Sequence, residues 1–227
     1  MKKLIAIVIL LISNHCFSQI TSKTKQPTDT LCISGNKNYN ILITTISKEE
    51  YLKAKTIKTA APILDKTIIP PQVNLTKDCY TVTTPTKTVK NCLKEDEQFI
   101  SLSYLGVIKK INTCFIYENW FESSTSNVLI NLNDGTTSYI SGNELIFSPN
   151  LKFIYSYAFD EIDFSGISFH QMIDNKAEPI LITDYNTEEK YKFNFSNFGK
   201  AFWISNTSLY AANNEAYYKF TIQDKQL

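Results

Sequence analysis

The chain has 227 residues, 13% of them aromatic, and a formal net charge of +1 in which all 23 basic residues are lysine. A near-neutral chain sets up no long-range field to steer a polyanion. Without arginine it also lacks the planar fork that reads guanine edges and phosphates bidentately, so nucleic acid is not an expected partner.

Residues 1–18 read as a secretory signal peptide. Lys2 and Lys3 make a basic start, residues 4–12 are an unbroken apolar run, and a polar stretch ends on the small Ser18. The run falls far short of the roughly 20 residues that span a bilayer. The expected product begins at Gln19, is exported, and is periplasmic or secreted, with no transmembrane helix in the mature chain. Losing the leader removes two lysines and no acid, so the net charge of +1 becomes −1. A lipid anchor on Cys16 would want a small residue before it; His15 is not small, and cleavage after Ser18 discards this cysteine.

Residues 19–30 are polar and predict a mobile leader. Residues 31–97 predict a small N-terminal α+β segment. Within it, residues 41–46 (ILITTI) are rich in β-branched side chains and predict a strand. Ser47 followed by Glu50 reads as a capping box that opens a short helix to about Lys55. Residues 59–73 hold three prolines, which exclude a regular helix and predict an extended connector.

The four cysteines left after cleavage are Cys32, Cys79, Cys92 and Cys114. In an exported chain an even number reads as two disulfides, with three pairings open. The polar, Thr/Lys-rich residues 80–91 favour a hairpin closed by Cys79–Cys92, leaving Cys32–Cys114 to tie the N-terminal region to the later sheet. No pair has the C-x₂₋₄-C spacing of a zinc site.

Residues 98–227 predict a β-rich domain. Strands are expected over residues 99–105, 107–110, 112–121, 127–132, 136–140, 144–147, 152–159, 167–173, 179–183, 189–195, 201–204, 208–212 and 216–222. Asn133-Asp134-Gly135 and Ser148-Pro149-Asn150 are turn signals between them. This spacing predicts an all-β antiparallel meander, sandwich or propeller-like arrangement. Phe147–Ile154 and a degenerate second copy starting at Trp203 repeat the strand–turn–strand shape at a blade-sized interval.

The run Phe147-Ser148-Pro149-Asn150-Leu151-Lys152 resembles the F-S-P-D-G-K signature of WD40-like and TolB-type β-propeller blades, and residues 103–159 resemble a loose group of exported bacterial proteins. Leu151 stands where that family usually has glycine. The resemblance implies propeller-like sheets, partial or degenerate at this length, and transfers no catalytic residue.

Chemistry is sparse in the sequence. His170 is the one histidine after the leader, so any Ser-His or Cys-His device would use it. Alternation places it on one face of its strand with Ser168 and Met172. Asp160, Glu161 and Asp163 form a dense acidic cluster, a candidate Ca²⁺ site and the candidate carboxylates of a hydrolase, although their spacing is not that of an EF-hand loop. Tyr117, Glu118 and Trp120 are candidate binding residues for sugar or peptide, with Glu118 either buried and paired or marking an edge. No cofactor is implied. The expected function is a non-enzymatic exported scaffold that binds an envelope or extracellular protein or glycan. The alternatives are a secreted carbohydrate-active or other hydrolase, and a periplasmic inhibitor or immunity-type protein.

Overall fold

The computed structural model describes residues 30–60, 62, 64–92, 99–120, 125–158, 166–196, 198, 200–214 and 216–225. Residues 1–29, where the sequence predicts a signal peptide and a leader, lie outside these. The chain is all-β in class, as its patterning predicts, with every strand pair antiparallel.

Four sheets follow one another along the chain. β1 (Thr30–Ser34) and β2 (Tyr39–Ile46) form a hairpin, followed by helix α1 (Lys48–Thr56). β3 (Val73–Leu75), β4 (Cys79–Thr83) and β5 (Thr88–Cys92) make a three-stranded sheet. β6 (Phe99–Ile108), β7 (Thr113–Trp120), β8 (Thr125–Asn131) and β9 (Thr137–Ser141) make a four-stranded meander. β10 (Glu144–Phe147), β11 (Phe153–Ala158), β12 (Gly166–Ile173) and β13 (Lys176–Ile182) make a second. After helix α2 (Tyr185–Tyr191), β14 (Phe202–Trp203), β15 (Ser208–Ala212) and β16 (Tyr217–Asp224) join the N-terminal hairpin in the order β1-β2-β16-β15-β14. β2 pairs with β16 from Tyr39↔Asp224 to Ile46↔Tyr217. The first strands of the chain are thereby hydrogen-bonded to its last, in one sheet.

Each sheet buries a face against the next. Val73, Tyr80 and Val82 pack on Cys114, Ile116, Val128 and Ile130, between the three-stranded sheet and the β6–β9 meander. The opposite face of that meander, with Phe115, Leu129 and Ile140, packs on Phe147, Ile154 and Ala177. The far face of β10–β13, with Tyr155, Ile167 and Phe169, meets Ile41, Ile43, Trp203 and Phe220 of the five-stranded sheet. A strand with both faces covered shows no apolar–polar alternation, which is why β12 is buried at five consecutive residues. Two hydrogen bonds fix the last interface: Trp203 Nε1 donates to the Ile146 carbonyl at 2.9 Å, and the Tyr155 hydroxyl to the Phe198 carbonyl at 3.1 Å.

Ser47 caps α1 by accepting from the Glu50 amide at 3.1 Å. The Glu50 carboxylate does not reach back to close the box; it accepts from the Tyr210 hydroxyl at 2.8 Å, tying the helix to β15. Tyr51 and Ala54 bury against Tyr210 and Ala212.

Two predicted strands are corrections. Residues 107–110 are no separate strand: β6 runs on through Gly106 to Ile108, and Lys109–Ile111 is a 3-10 turn. Residues 189–195 contain no strand; α2 covers Tyr185–Tyr191. Asp184 is the N-cap of a capping box with Thr187, and the left-handed Lys192 (φ 52°) ends the helix. Phe195 and Phe198 then drop into the core between sheets.

The Cys79–Cys92 disulfide is present, its residues directly opposite each other in the β4–β5 hairpin. Cys32 and Cys114 form no disulfide. Cys114 is buried between the three-stranded sheet and the β6–β9 meander, whereas Cys32 lies on β1, at the edge of a different sheet. Reducing Cys79–Cys92 is expected to cost about 3 kcal/mol, from the chain entropy of reopening a loop of this size, read as a lower urea midpoint with reductant present.

Candidate functional site

Three chemically distinctive places emerge. Two are closed and one is open.

The first is Ser168–His170. Residues two apart on β12 share a face, and the Ser168 Oγ lies 2.9 Å from His170 Nε2. That is nucleophile–base distance. Both residues are buried, and Nδ1 of His170 has no hydrogen-bond partner among the described residues. Among the described residues no carboxylate orients the ring as a third member would. Burial lowers the imidazole pKa from 6.5 to about 4, so the ring is neutral at ordinary pH. Ser156, opposite Ser168 in the β11–β12 register, donates its Oγ hydrogen to the Ser141 carbonyl at 2.8 Å, and Asn127 on β8 donates from Nδ2 to the Gly142 carbonyl. These groups form the polar half of the interface between the β6–β9 and β10–β13 sheets, and neither Ser168 nor His170 lines either of the two open clefts described below. The pair is a structural contact inside the core.

The second is Glu118, 2% exposed on β7. Its Oε1 accepts from the Tyr80 hydroxyl at 3.0 Å and from Asn91 Nδ2 at 2.9 Å. Of the two sequence readings, buried and paired is the one observed. Burial, then the Glu118 charge, push the Tyr80 hydroxyl well above its ordinary pKa. Tyr80 and Asn91 come from the disulfide-closed hairpin, so the carboxylate clamps that hairpin onto β7. Tyr117, next along the strand, points to the opposite face. The side chain of Trp120 lies outside the described residues, as do Asp160, Glu161 and Asp163. Among the described residues no group of three His, Cys, Asp or Glu is placed to hold a metal.

The third place is one end of the molecule. The β6–β7 and β8–β9 turns leave their sheet at the same end, as do the β10–β11 and β12–β13 turns of the next. The β4–β5 turn joins them, with Thr86 Oγ1 donating to the Asp134 carbonyl at 2.7 Å. Two open clefts lie here. One, about 610 Å³, runs between Asn36–Asn38, Asp134 and Asp174, with the Lys176–Glu178 ion pair (2.6 Å) on its wall. The other, about 690 Å³, lies between the connector and the β6–β7 and β10–β11 turns. Its wall is apolar, from Ala60, Pro62, Leu64, Val107, Pro149 and Leu151.

The sequence predicts only an extended connector over residues 59–73. Asp65 instead exchanges both backbone hydrogen bonds with Val107, at 3.0 and 3.1 Å, and so lays the connector along β6. Gly106 makes room: its φ is +136°, and a Cβ there would lie 3.0 Å from the Asp65 carbonyl oxygen. The turn at Ser148–Leu151 holds itself through Asn150 Oδ1, which accepts from the Ser148 hydroxyl and the Lys152 amide. Leu151 occupies the left-handed region (φ 64°) while its side chain is buried. The signal was in the sequence, since leucine stands where the resembled signature has glycine.

An ordinary residue held left-handed costs about 1–2 kcal/mol, and burying leucine contributes about 1.5–3 kcal/mol. Leu151→Ala keeps the strain and loses the packing, whereas Leu151→Gly loses both. The alanine variant is therefore expected to be the less stable of the two by about 1 kcal/mol, measured by urea midpoints. Equal midpoints would contradict the strained backbone.

No family model, no curated protein and no solved structure matches the chain.

Proposed function

We propose that this chain is an exported, non-enzymatic β-rich scaffold that binds an envelope or extracellular protein or glycan. Its propeller-like sheets would be closed by the pairing of β2 with β16. The observation that carries the reading is the gathering of turns from successive sheets around two open clefts at one end. Loops positioned by a rigid scaffold are where binding residues concentrate. The Cys79–Cys92 disulfide fits an oxidising compartment, and among the described residues no helix is long and apolar enough to cross a membrane. The distinctive polar residues, Glu118 and His170, are occupied inside sheet interfaces.

The test is hydrolysis of a panel of glycans and peptides by the mature protein and by its Asp160→Ala/Glu161→Ala/Asp163→Ala variant. No turnover by either supports the scaffold. Turnover that disappears in the variant overturns it in favour of a carboxylate hydrolase. Intact mass from the native host tests export: a chain starting at Gln19 is expected, and a lipid-sized increment on Cys16 would instead make it an anchored lipoprotein.

A further inference from the structure

The cleft beside the connector has a chemistry that narrows its occupant. Its wall is aliphatic and proline-rich, and its rim carries Lys66, Lys109 and Lys110. Asp65 is the acid among the lining residues, and it is already engaged: it accepts from the Thr67 hydroxyl at 2.6 Å and pairs with Lys109 at 3.4 Å. Lys66 and Lys110 carry no ion pair among the described residues. The net character of the rim is therefore positive, in a chain that is otherwise close to neutral.

The cleft is also open to solvent rather than enclosed. Small-molecule sites enclose most of their ligand's surface, and an open trough cannot. One wall is a connector whose regular backbone pairing, among its described residues before β3, is the Asp65↔Val107 bridge, so peptide groups border the trough on that side. The buried Leu151, held left-handed, fixes the opposite wall.

We propose that this cleft binds a peptide segment of a partner protein that presents an aliphatic or aromatic side chain flanked by aspartate or glutamate. The apolar side chain seats against Leu64, Pro149 and Leu151, and the flanking carboxylates meet Lys66 and Lys110. This deepens the scaffold reading and rests on it, since it assigns the scaffold's partner class and contact site.

The test uses the mature, oxidised protein and fluorescence anisotropy. The probes are short labelled peptides with leucine or phenylalanine set between runs of aspartate and glutamate. Controls are alanine-centred peptides, lysine-flanked peptides and a labelled long-chain fatty acid. The acidic, apolar-centred peptides are expected to bind in preference to every control. The Lys66→Glu/Lys110→Glu variant, which alters only rim residues, is expected to weaken them about tenfold, and raised salt to weaken them too. Ala60→Trp, which fills the trough from its exposed edge, is expected to block binding with the urea midpoint unchanged. Binding indifferent to flanking charge, binding unaffected by both variants, preference for the fatty acid, or no peptide binding would each overturn the proposal. The scaffold reading is decided separately, because a protein or glycan partner cross-linked at this end of the molecule sustains it even where the peptide panel fails.

Discussion

Acidification from pH 7 to pH 4 is expected to cost the fold about 3 kcal/mol through one residue, His170. The ring is buried between the β6–β9 and β10–β13 sheets with Nδ1 unpartnered among the described residues, and burial lowers its pKa from 6.5 to about 4. Between those two values the unfolded chain binds the proton and the folded chain does not. The stabilisation is thus complete above pH 6.5, is lost progressively as pH falls, and levels off below pH 4. Glu144 works in the opposite direction: burial raises its carboxyl pKa, so folding favours its protonated form. Asp65, Asp134 and Asp184 have lowered pKa values, chiefly from hydrogen bonds to neighbouring threonines, and so withdraw their contribution only below the ordinary carboxylate range. The difference between wild type and His170→Gln isolates the histidine from these groups. Urea midpoints from pH 4 to 7 should show a slope in the wild type that is reduced in the variant. Parallel profiles would mean that the ring is solvated or finds a partner when charged.

Glu118→Ala is expected to be the most damaging single substitution at a polar residue, at about 2–5 kcal/mol. It leaves the Tyr80 hydroxyl, 0% exposed, without its acceptor at 3.0 Å, and the Asn91 amide without its acceptor at 2.9 Å. It also opens a void between the disulfide-closed hairpin and β7. Tyr80→Phe removes one donor from the same carboxylate and should cost about 1.5–3 kcal/mol, as for a hydrogen bond to a charged group. The two residues touch, so their effects should not add, and a double-mutant cycle is expected to return a coupling of about 0.5–3 kcal/mol. If Glu118 were instead poised for catalysis, held in a strained and costly site, its replacement would leave stability unchanged or raised. Additive effects, or a stable Glu118→Ala variant, would contradict the structural role.

The physics of the sequence explains what was legible. Most strands were visible because β-branched and aromatic runs were punctuated by turn residues. Asn133-Asp134-Gly135 delivers the positive φ its Asp-Gly pair predicts, 72° at Gly135. The Cys79–Cys92 bridge was legible because a polar, threonine-rich run of hairpin length separates the two cysteines. Helix α2 was misread because Tyr191, Phe193 and Phe195 alternate as in a strand, while the local Asp184–Thr187 capping box that decides the matter has a weak signature. Cys32 and Cys114 show how far a count can go: an even number permits two bridges, but the second needs both residues on facing sheets.

The candidate site was less visible, for a reason that follows from the architecture. Non-local pairing built it. The connector became a wall through one bridge to Val107, and no local pattern announces a partner that far along the chain. The union of β2 with β16 was equally hidden, since neither strand carries a mark of the other. Glu118 was singled out as an acid in an aromatic strand, but its clamp depends on Tyr80 and Asn91 from another sheet.

The central claim is that this scaffold binds a macromolecule through its turn-bearing end. The most direct measurement places a photo-cross-linking residue at Lys66 or Lys110, or at Asn214 in the β15–β16 turn at the opposite end, in the native host. The account predicts a discrete adduct from positions 66 and 110 and none from 214. Adducts from position 214 alone, or from none of the three, would contradict it.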